Sequence, residues 1–186
     1  MAETAKRHAT YEDLLAVPDS QLAQIIDGEL VVLPRPTLLH SRSASRLSMD
    51  LGSPFDRGRG GPGGWLILFE PELHLRADVL VPDLAGWRRE RMPELPESAA
   101  CTLAPDWVCE VLSPATQSID RVRKMNIYAR EGVPYAWLID PSAQTLEVYK
   151  LAGELWTRCA SWAGAEKVRA EPFDAIELDL AGLWER

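Results

Sequence analysis

The feature that most constrains this chain is an apolar segment interrupted by one carboxylate. Residues 107–112 read Trp-Val-Cys-Glu-Val-Leu, and Ser113-Pro114 stops the run. A continuous apolar run of this length is typical of a central strand that is buried on both faces. Burying the Glu110 carboxylate there costs free energy unless it is paired or binds a metal ion. Alternatively, Glu110 faces water, on the side of the strand opposite Cys109 and Val111.

The order of apolar runs and turn residues predicts a mixed sheet flanked by helices. A short helix capped by Thr10 ends near Pro18, and the tight-turn signal Asp27-Gly28 predicts a hairpin over residues 25–33. Further helices are expected over residues 38–51 and from Thr116 or Ser118, either of which can act as the cap, to Glu131. The other expected strands cover residues 65–69, 73–76, 79–84, 107–112, 135–139 and 175–180, with a hairpin of 146–149 and 155–162 about Gly153.

This pattern gives an α/β (α+β) core with an added β-hairpin region, in a single domain over residues 1–186. The glycine-rich residues 52–64 predict a flexible surface connection. They do not predict a phosphate-binding loop, because no Gly-Lys-Ser/Thr sequence follows them.

Composition excludes several classes of protein. Hydrophobic residues make up 46% and charged residues 26% of the chain, which indicates a soluble globular protein. No apolar run approaches the roughly 18 residues of a membrane span, and the polar start lacks the apolar core of a signal peptide. We therefore expect no membrane partner and a cytoplasmic location. Cys101, Cys109 and Cys159 have no CxxC spacing, so reduced thiols are expected rather than disulfides or a zinc site.

The net charge of −8 argues against a large non-specific nucleic-acid surface. It is compatible with a local basic groove, since acidic residues that hold a metal ion add negative charge while they help to bind phosphate. Small arginine clusters are ordinary solvated surface when each is taken alone, but together they could guide nucleic acid. These clusters are Arg42 with Arg46, Arg57 with Arg59, Arg88 with Arg89 and Arg91, and Arg121 with Arg123.

A second carboxylate, Asp83, follows Pro82 at the end of the strand expected over residues 79–84. If this strand is a neighbour of the strand that carries Glu110, both side chains can converge on one cation. Carboxylate oxygens are hard ligands that suit Mg²⁺ or Mn²⁺ better than zinc. The alternative for Asp83 is a turn residue, because Pro-Asp is common in turns.

The helix after Glu110 adds a third candidate group. Asp120, Lys124 and Tyr128 recur at intervals of four, so they lie along one helix face. Lys124 borders the apolar side of this helix and could point along the sheet toward Glu110. The alternative is an exposed ion pair of Asp120 with Lys124, which is the usual outcome of such spacing.

Taken together, these motifs resemble the Uma-two family of restriction-endonuclease-like proteins, over about Thr10 to Trp156. The order and spacing of the motifs make the resemblance specific, although each motif alone is weak. They are Asp27-Gly28-Glu29-Leu30 with His40 downstream, Val81-Pro82-Asp83, Glu110-Val111-Leu112-Ser113-Pro114, Asp120 with Lys124, Tyr128 and Gly132-Val133, and Trp137-Leu138-Ile139-Asp140-Pro141.

The resemblance implies a PD-(D/E)XK nuclease fold, in which Pro82-Asp83 supplies the PD and Glu110 the acidic residue. The lysine expected two residues after Glu110 is Leu112 here, and Lys124 from the following helix is the candidate replacement. If Lys124 does not reach the site, the chain is an inactive relative.

The same resemblance implies the mechanism of metal-assisted phosphodiester hydrolysis. Asp83, Glu110 and the backbone carbonyl near Val111 would hold Mg²⁺ or Mn²⁺, and Lys124 would orient water or neutralise the transition state. Three further side chains, Glu29, His40 and Tyr128, are possible accessory residues. For Glu29 and His40 the structural alternatives are a turn residue and a helix-surface histidine.

Three functions are compatible with these residues. The first is a metal-dependent endonuclease acting on DNA, and the second is a catalytically inactive nuclease fold used for protein association. The third is hydrolysis of RNA or of a small phosphodiester. The late hairpin carries Trp156 and Trp162, which either close a homodimer by pairing sheet edges or add to the core of one domain.

Overall fold

The computed structural model of this chain describes residues 7–185. Its helical segments are α1 (Tyr11–Leu15), α2 (Leu38–Leu51), the π-helical turn π1 (Gly52–Asp56), the π-helical segment π2 (Ile119–Lys124), α3 (Met125–Arg130) and α4 (Ala181–Trp184). Its strands are β1 (Leu22–Ile26), β2 (Glu29–Leu33), β3 (Trp65–Phe69), β4 (Glu72–Leu75), β5 (Asp78–Leu80), β6 (Leu84–Arg88), β7 (Ala100–Cys101), β8 (Trp107–Val111), β9 (Tyr135–Asp140), β10 (Thr145–Ala152), β11 (Leu155–Ala163), β12 (Lys167–Val168) and β13 (Leu178–Asp179).

Two larger sheets organise the fold. The main sheet has six strands in the order β11-β10-β9-β8-β6-β3, and the small sheet has five in the order β2-β1-β5-β4-β7. The main sheet is mixed, because β8 runs parallel to β9 and antiparallel to β6. The expected α/β (α+β) fold, with a mixed sheet flanked by helices and an added hairpin, is confirmed.

The main sheet separates two apolar cores. Residues of β8 alternate between them: Cys109 and Val111 pack with α2 and α4 on one face, whereas Val108 packs with α3 and the small sheet on the other. A strand has a side-chain period of two, so Glu110 points into the second core together with Val108. All five residues of β8 are buried, which confirms the expected central strand.

Local sequence signals account for several elements. Thr10 caps α1 in a reciprocal capping box with Asp13. Asp27 and Gly28 both have positive φ angles, as a two-residue turn between β1 and β2 requires. The predicted second helix has the bounds of α2, and the hairpin of β10 and β11 turns at Gly153.

The strand expected over residues 79–84 is wrong. β5 ends at Leu80 and β6 begins at Leu84, and the two strands belong to different sheets. Pro82 has no backbone N–H to give to a ladder, so it suits a crossing point better than a strand interior. Asp83 therefore lies where the chain passes from the small sheet into the main sheet.

Three smaller expectations also need correction. The connection over residues 52–64 is not all flexible surface, since it opens with π1 and buries Phe55 in the first core. The last strand is only β13, because the residues before it turn. Ser118 makes no capping hydrogen bond, while the Thr116 hydroxyl lies 3.0 Å from that of Ser113.

The late hairpin contributes to the protein interior. Trp156 donates a hydrogen bond from Nε1 to the Met125 carbonyl at 2.8 Å. Both hairpin tryptophans are partly buried, with Trp162 against the first core and Trp156 against the second. These contacts favour the interpretation of the tryptophans as extra core. Within residues 7–185, no helix is long and apolar enough to cross a membrane.

Candidate active site

Glu110 is the buried centre of the site. Its side chain is only 2% exposed, so the alternative that it faces water is wrong. Lys124 donates a hydrogen bond from Nζ to Glu110 Oε2 at 2.9 Å. The Tyr128 hydroxyl donates to Glu110 Oε1 at 2.5 Å. Each oxygen of this carboxylate therefore has a partner from the helix that covers β8.

The helical segment π2 brings Lys124 to Glu110. A π-helix bonds each residue to the fifth one along the chain, so side chains four apart point in nearly the same direction. In this alignment Asp120 Oδ1 lies 3.1 Å from Lys124 Nζ, and both side chains are about 4–5% exposed. The pair of Asp120 and Lys124 is thus buried and shared with Glu110, and the alternative of an exposed ion pair is wrong.

Asp83 is fixed by two hydrogen bonds. The Val111 backbone N–H donates to Asp83 Oδ2 at 2.6 Å, and His40 Nε2 lies 2.6 Å from Asp83 Oδ1. β6 and β8 pair with Leu84 opposite Cys109, so Asp83 begins β6 beside the end of β8. His40 comes from α2, whose N-cap Thr37 accepts a hydrogen bond from the His40 backbone.

The charges of this cluster explain the shifted pKa values. Burial raises the pKa of Glu110 to about 8, and the carboxylates of Asp120 and Asp83 add to this effect against the attraction of Lys124. Burial alone would lower the pKa of Lys124, but the negative charges of Glu110, Asp120 and Asp83 raise it above its ordinary value. One lysine is thus surrounded by three acidic groups, so it keeps its proton and the most buried acid tends to keep one too.

His40 and Glu70 extend this electrostatic network. Burial works to lower the pKa of His40, but the hydrogen bond to Asp83 and nearby carboxylates raise it overall. The pKa of Glu70 is also raised, first by burial and then by the charge of Asp83. Glu70 has a positive φ of 46°, and its N–H donates to the Asp83 carbonyl. Such a conformation is uncommon for a residue other than glycine.

A single pocket of about 320 Å³ collects these groups. Its polar end is formed by the side chains already described, and the rest of its wall is largely apolar. The residues of the polar end are His40, Glu70, Asp83, Glu110, Asp120 and Lys124. The wall includes Leu22, Leu33, Pro34, Pro36, Val81, Val111 and Pro114, with Arg35, Gln24, Thr37, Ser113 and Thr116 among them.

Comparisons with known proteins agree with this architecture. A sequence profile described as "Uma2: Putative restriction endonuclease" matches residues 9–181. This chain belongs to the Uma2 family. A comparison with curated proteins found no match.

A solved structure has the same fold as this Uma2 chain. It is a crystal structure of a protein from Anabaena variabilis ATCC 29413 described as "a putative nuclease belonging to DUF820". The two chains are 22% identical, the TM-score is 0.75, and the match covers 95% of this chain and 97% of the other. At this level of identity the similarity concerns the fold.

Most residues singled out in the sequence meet at the pocket of this Uma2 chain, and one does not. Asp83, Glu110, Val111, Lys124 and His40 line it, and Tyr128 reaches it through Glu110. Glu29 does not line this pocket, and its carboxylate lies 3.2 Å from Arg123.

Sequence reasoning missed Glu70 and undervalued Asp120. Glu70 follows Phe69 at the end of β3, and no spacing motif connects it to Pro82-Asp83. Asp120 was visible only as the partner of Lys124. The signal that could have identified it as a site residue is its interval of four from Lys124, on the side of a helix that faces a buried carboxylate.

The acidic residues of this Uma2 site fit a hard divalent cation in chemistry and in charge. Four carboxylates (Glu70, Asp83, Glu110 and Asp120) share the pocket with Lys124 and His40. His40 Nδ1 is buried without a hydrogen-bond partner in the described residues, so the polar groups here are not fully satisfied by the protein. Within residues 7–185, no three His, Cys, Asp or Glu side chains already converge as a metal cluster. Binding would therefore require the carboxylates of this site to move closer together than they are here.

Proposed function

We propose that this Uma2 protein is an endonuclease that hydrolyses DNA phosphodiester bonds with the help of Mg²⁺ or Mn²⁺. The proposal follows from the site, and the family description agrees with it. The observation that carries it is the contact of Lys124 with Glu110 at 2.9 Å. Lys124 comes from the helix after β8, whereas Leu112, two residues after Glu110, lies in the apolar core. A lysine thus contacts the acidic residue of the expected motif from the following helix instead of from the same strand.

Each residue has a distinct role in this proposal. Asp83 and Glu110 would hold the metal ion, with the Val111 carbonyl as a further oxygen ligand. When bound, the metal would lower the pKa of water and stabilise negative charge on the phosphate. Lys124 stays protonated, since three carboxylates raise its pKa, and it can orient water or neutralise charge on the phosphate. Tyr128 and His40 hold the two carboxylates in place through single hydrogen bonds.

Cleavage of supercoiled plasmid, single-stranded DNA and RNA tests this proposal, with Mg²⁺, with Mn²⁺ and with chelator. We expect the wild type to cut DNA only with metal and Glu110→Gln to be inactive. Glu154→Gln serves as the matched control, because Glu154 is exposed in the turn between β10 and β11. Absence of DNA cleavage by the folded wild type in every metal would overturn the proposal.

One observation favours a second function, a catalytically inactive nuclease fold used for protein association. Both oxygens of Asp83 and both oxygens of Glu110 already have hydrogen-bond partners within the protein. A site preserved only as a polar core would look the same. Unchanged melting temperatures with Mg²⁺ and Mn²⁺, together with no cleavage, would support this second function.

We also propose that two copies pair through β11 and that the protein acts in the cytoplasm. β11 is an edge of the main sheet, and Leu155 at its start is 75% exposed. An exposed edge strand is a template for pairing with another chain. The cytoplasmic location agrees with three unpaired cysteines. Light scattering after gel filtration tests the dimer, and a monomer mass at all concentrations would exclude it.

A further inference from the structure

We infer that the pocket receives an unpaired nucleotide, so that the protein binds single-stranded DNA in preference to duplex DNA. The base would lie against the apolar wall and a phosphate would lie near Arg35, with the next phosphate at the carboxylates. This inference rests on the proposed function, because it names the substrate of the same site. It concerns the apolar wall and Arg35, neither of which the hydrolytic roles use.

The apolar wall is built from several parts of the chain. Leu22 begins β1, Leu33 ends β2, Pro34 and Pro36 lead into α2, and Pro114 follows β8. These side chains form an apolar surface, in which Arg35 is the one charged residue among those that the structure describes. A metal site that only had to meet a phosphate would need no such wall. Apolar walls with a few polar groups at one end are typical of pockets for small organic groups such as a base.

The size of the pocket favours a single nucleotide inside it over a base pair of a double helix. Its volume of about 320 Å³ is at the low end for small-molecule pockets. That space admits one nucleotide-sized group and no duplex. A paired base would first have to leave the stack, which costs a few kcal/mol, whereas an unpaired base enters without this cost.

Arg35 supplies a positive charge at the pocket wall. Its guanidinium is held by the carbonyl oxygens of Asp19, at 3.1 Å, and Ser20, at 3.3 Å. In the part of the chain that the structure describes, it makes no ion pair with a carboxylate. Arg121 and Arg123, by contrast, are paired with acidic side chains. The charge of Arg35 is therefore positioned and remains available to a phosphate.

An aromatic side chain lies next to the pocket in sequence. Phe69 is 46% exposed, and although it does not line the pocket itself, it directly precedes Glu70, which does. Exposed aromatic rings are stacking platforms for the bases of single strands. The net charge of −8 also disfavours the long series of phosphate contacts that duplex binding requires. These observations together favour a single strand held by stacking and a few charges.

Fluorescence anisotropy tests the inference independently of cleavage. The probe is a labelled oligonucleotide with a cleavage-resistant phosphorothioate backbone, used as a single strand and as a duplex of the same sequence, in Mg²⁺. We expect the wild type to bind the single strand at least about tenfold more tightly, as loss of one stacked base would predict. Equal binding, or tighter binding of the duplex, would overturn the inference.

Paired variants locate the binding site. Leu33→Trp fills the apolar wall, and Leu30→Trp is its control on the same strand, at a position 37% exposed and outside the pocket. Arg35→Gln removes the proposed phosphate contact, and Arg158→Gln on the exposed face of β11 is its control. We expect Leu33→Trp and Arg35→Gln to weaken single-strand binding about tenfold or more, and the controls to match the wild type. Equal effects of a variant and its control would overturn the assignment of the pocket.

The outcomes separate this inference from the proposed function. Preferred single-strand binding that is lost in Leu33→Trp, without cleavage of natural DNA, would support the inference and contradict the nuclease activity. Metal-dependent cleavage with equal rates on single-stranded and duplex DNA would support the activity and contradict the inference. Calorimetry should show that Leu33→Trp binds Mg²⁺ like the wild type, because Leu33 is not a metal ligand.

Discussion

At the scale of single residues, the site balances negative charge against a single lysine. Glu110, Asp120 and Asp83 all act on Lys124, and burial strengthens each interaction because water screens little there. Burial also raises the pKa of Glu110 to about 8, because water no longer stabilises its charge, and the negative charges of Asp120 and Asp83 add to this effect. A divalent cation would remove this excess of negative charge.

The first prediction is a pH dependence of stability caused by Glu110. The pKa of this group is raised from 4.5 to about 8 by folding. The folded state therefore binds the proton more tightly, and the stabilisation is fully present below pH 4.5 and lost as pH rises to about 8. In chelator, we expect the wild type to lose stability relative to Glu110→Gln between pH 5 and pH 8, on the order of 3 kcal/mol.

Urea unfolding of both proteins across this pH range measures the effect. Glu110→Gln keeps the size of the side chain and has no group to titrate at this position. A constant difference in the free energy of unfolding between the two proteins would show that folding does not raise the pKa of Glu110. Titrating groups that do not interact with Glu110 act equally in both proteins and cancel from the difference.

The second prediction concerns Lys124. Lys124→Ala should abolish cleavage while Mg²⁺ binding is retained or becomes tighter, because a positive charge beside the carboxylates is removed. The change leaves Glu110 and Asp120 without their buried partner, so we expect the metal-free protein to lose about 3–5 kcal/mol of stability. Cleavage assays measure the activity of the variant and calorimetry measures its Mg²⁺ binding, both at temperatures below its melting temperature.

Arg121→Ala is the control for Lys124→Ala, since Arg121 lies on the same helical segment and its ion pair with Glu147 is partly exposed. We expect this variant to cut DNA like the wild type. Cleavage by Lys124→Ala at the wild-type rate would show that the lysine is only a structural partner of the carboxylates.

Residue types and spacing indicated that Asp83, Glu110 and Lys124 could converge, and the resemblance implied His40 as an accessory residue. All four line one pocket. Glu29 was misplaced, because a turn position does not tell which way a carboxylate points, and Arg123 draws it away from the pocket. Glu70 was not predicted, since its approach to Asp83 depends on how β3 ends beside the crossing point at Pro82. Contacts of this kind arise from tertiary packing and have no periodic signal.

At the scale of elements, π2 determines which helix residues face β8. Asp120, Lys124 and Tyr128 all reach the surroundings of Glu110. The interval of four predicted their common face, but not the π-helical hydrogen bonds that align it. π-Helical turns occur often at functional sites.

The third prediction tests this geometry by deletion of Val122. This residue lies within π2 and is 56% exposed, so little packing is lost with its side chain. Removing one residue should convert the wide turn to α-helical geometry and place Asp120 and Lys124 three residues apart instead of four, so that their side chains no longer meet at the present angle. We expect cleavage to fall, because Lys124 is then displaced from Asp120 or from Glu110.

Circular dichroism and melting curves report whether the Val122 deletion keeps its helix content and folds cooperatively. Val122→Ala is the control, because it removes the side chain and keeps the π-helical register. Full activity of a folded deletion variant would show that the register of π2 does not matter for the site.

Elements with strong local signals were predicted well. Thr10, Asp27-Gly28 and Gly153 mark a cap and two turns, each of which follows from the chemistry of a few neighbouring residues. The division of residues 79–84 between two sheets was missed, although Pro82 carried the relevant signal. Apolar content alone does not say which sheet a strand joins.

At the scale of the whole molecule, the site lies at the connection between the two sheets. The chain leaves the small sheet at the end of β5 and enters the main sheet with β6, which pairs with β8. Asp83 lies in this connection. This arrangement places the carboxylate at the end of a strand and also inside a pocket. The resemblance to Uma-two proteins implied the fold, but the two-sheet organisation was not derivable from periodicity. Beyond the hairpins, the pairings that build the two sheets join strands far apart in sequence, such as β1 with β5 and β8 with β9.

The last prediction links this site to the stability of the whole chain. Asp83, Glu110 and Asp120 repel one another without metal, and that repulsion contributes to the raised pKa of Glu110. Asp83→Asn removes one negative charge and keeps the shape, so we expect the metal-free variant to be as stable as the wild type or slightly more stable. Mg²⁺ or Mn²⁺ should raise the melting temperature of the wild type but not of the variant, because stabilisation by mass action requires binding to the folded state.

A purely structural Asp83 predicts a different pattern. Its carboxylate accepts hydrogen bonds from the Val111 N–H and from His40 when that ring carries the proton. If these hydrogen bonds were its whole role, the asparagine of Asp83→Asn would keep part of them. Asp83→Ala would then lower the free energy of unfolding by about 1 kcal/mol, with or without metal. Thermal melts of the three proteins, in chelator and in metal, distinguish the cases. If both substitutions lower the melting temperature without metal, and both variants respond to metal as the wild type does, Asp83 is excluded as a ligand. The Uma2 site would then be a polar core.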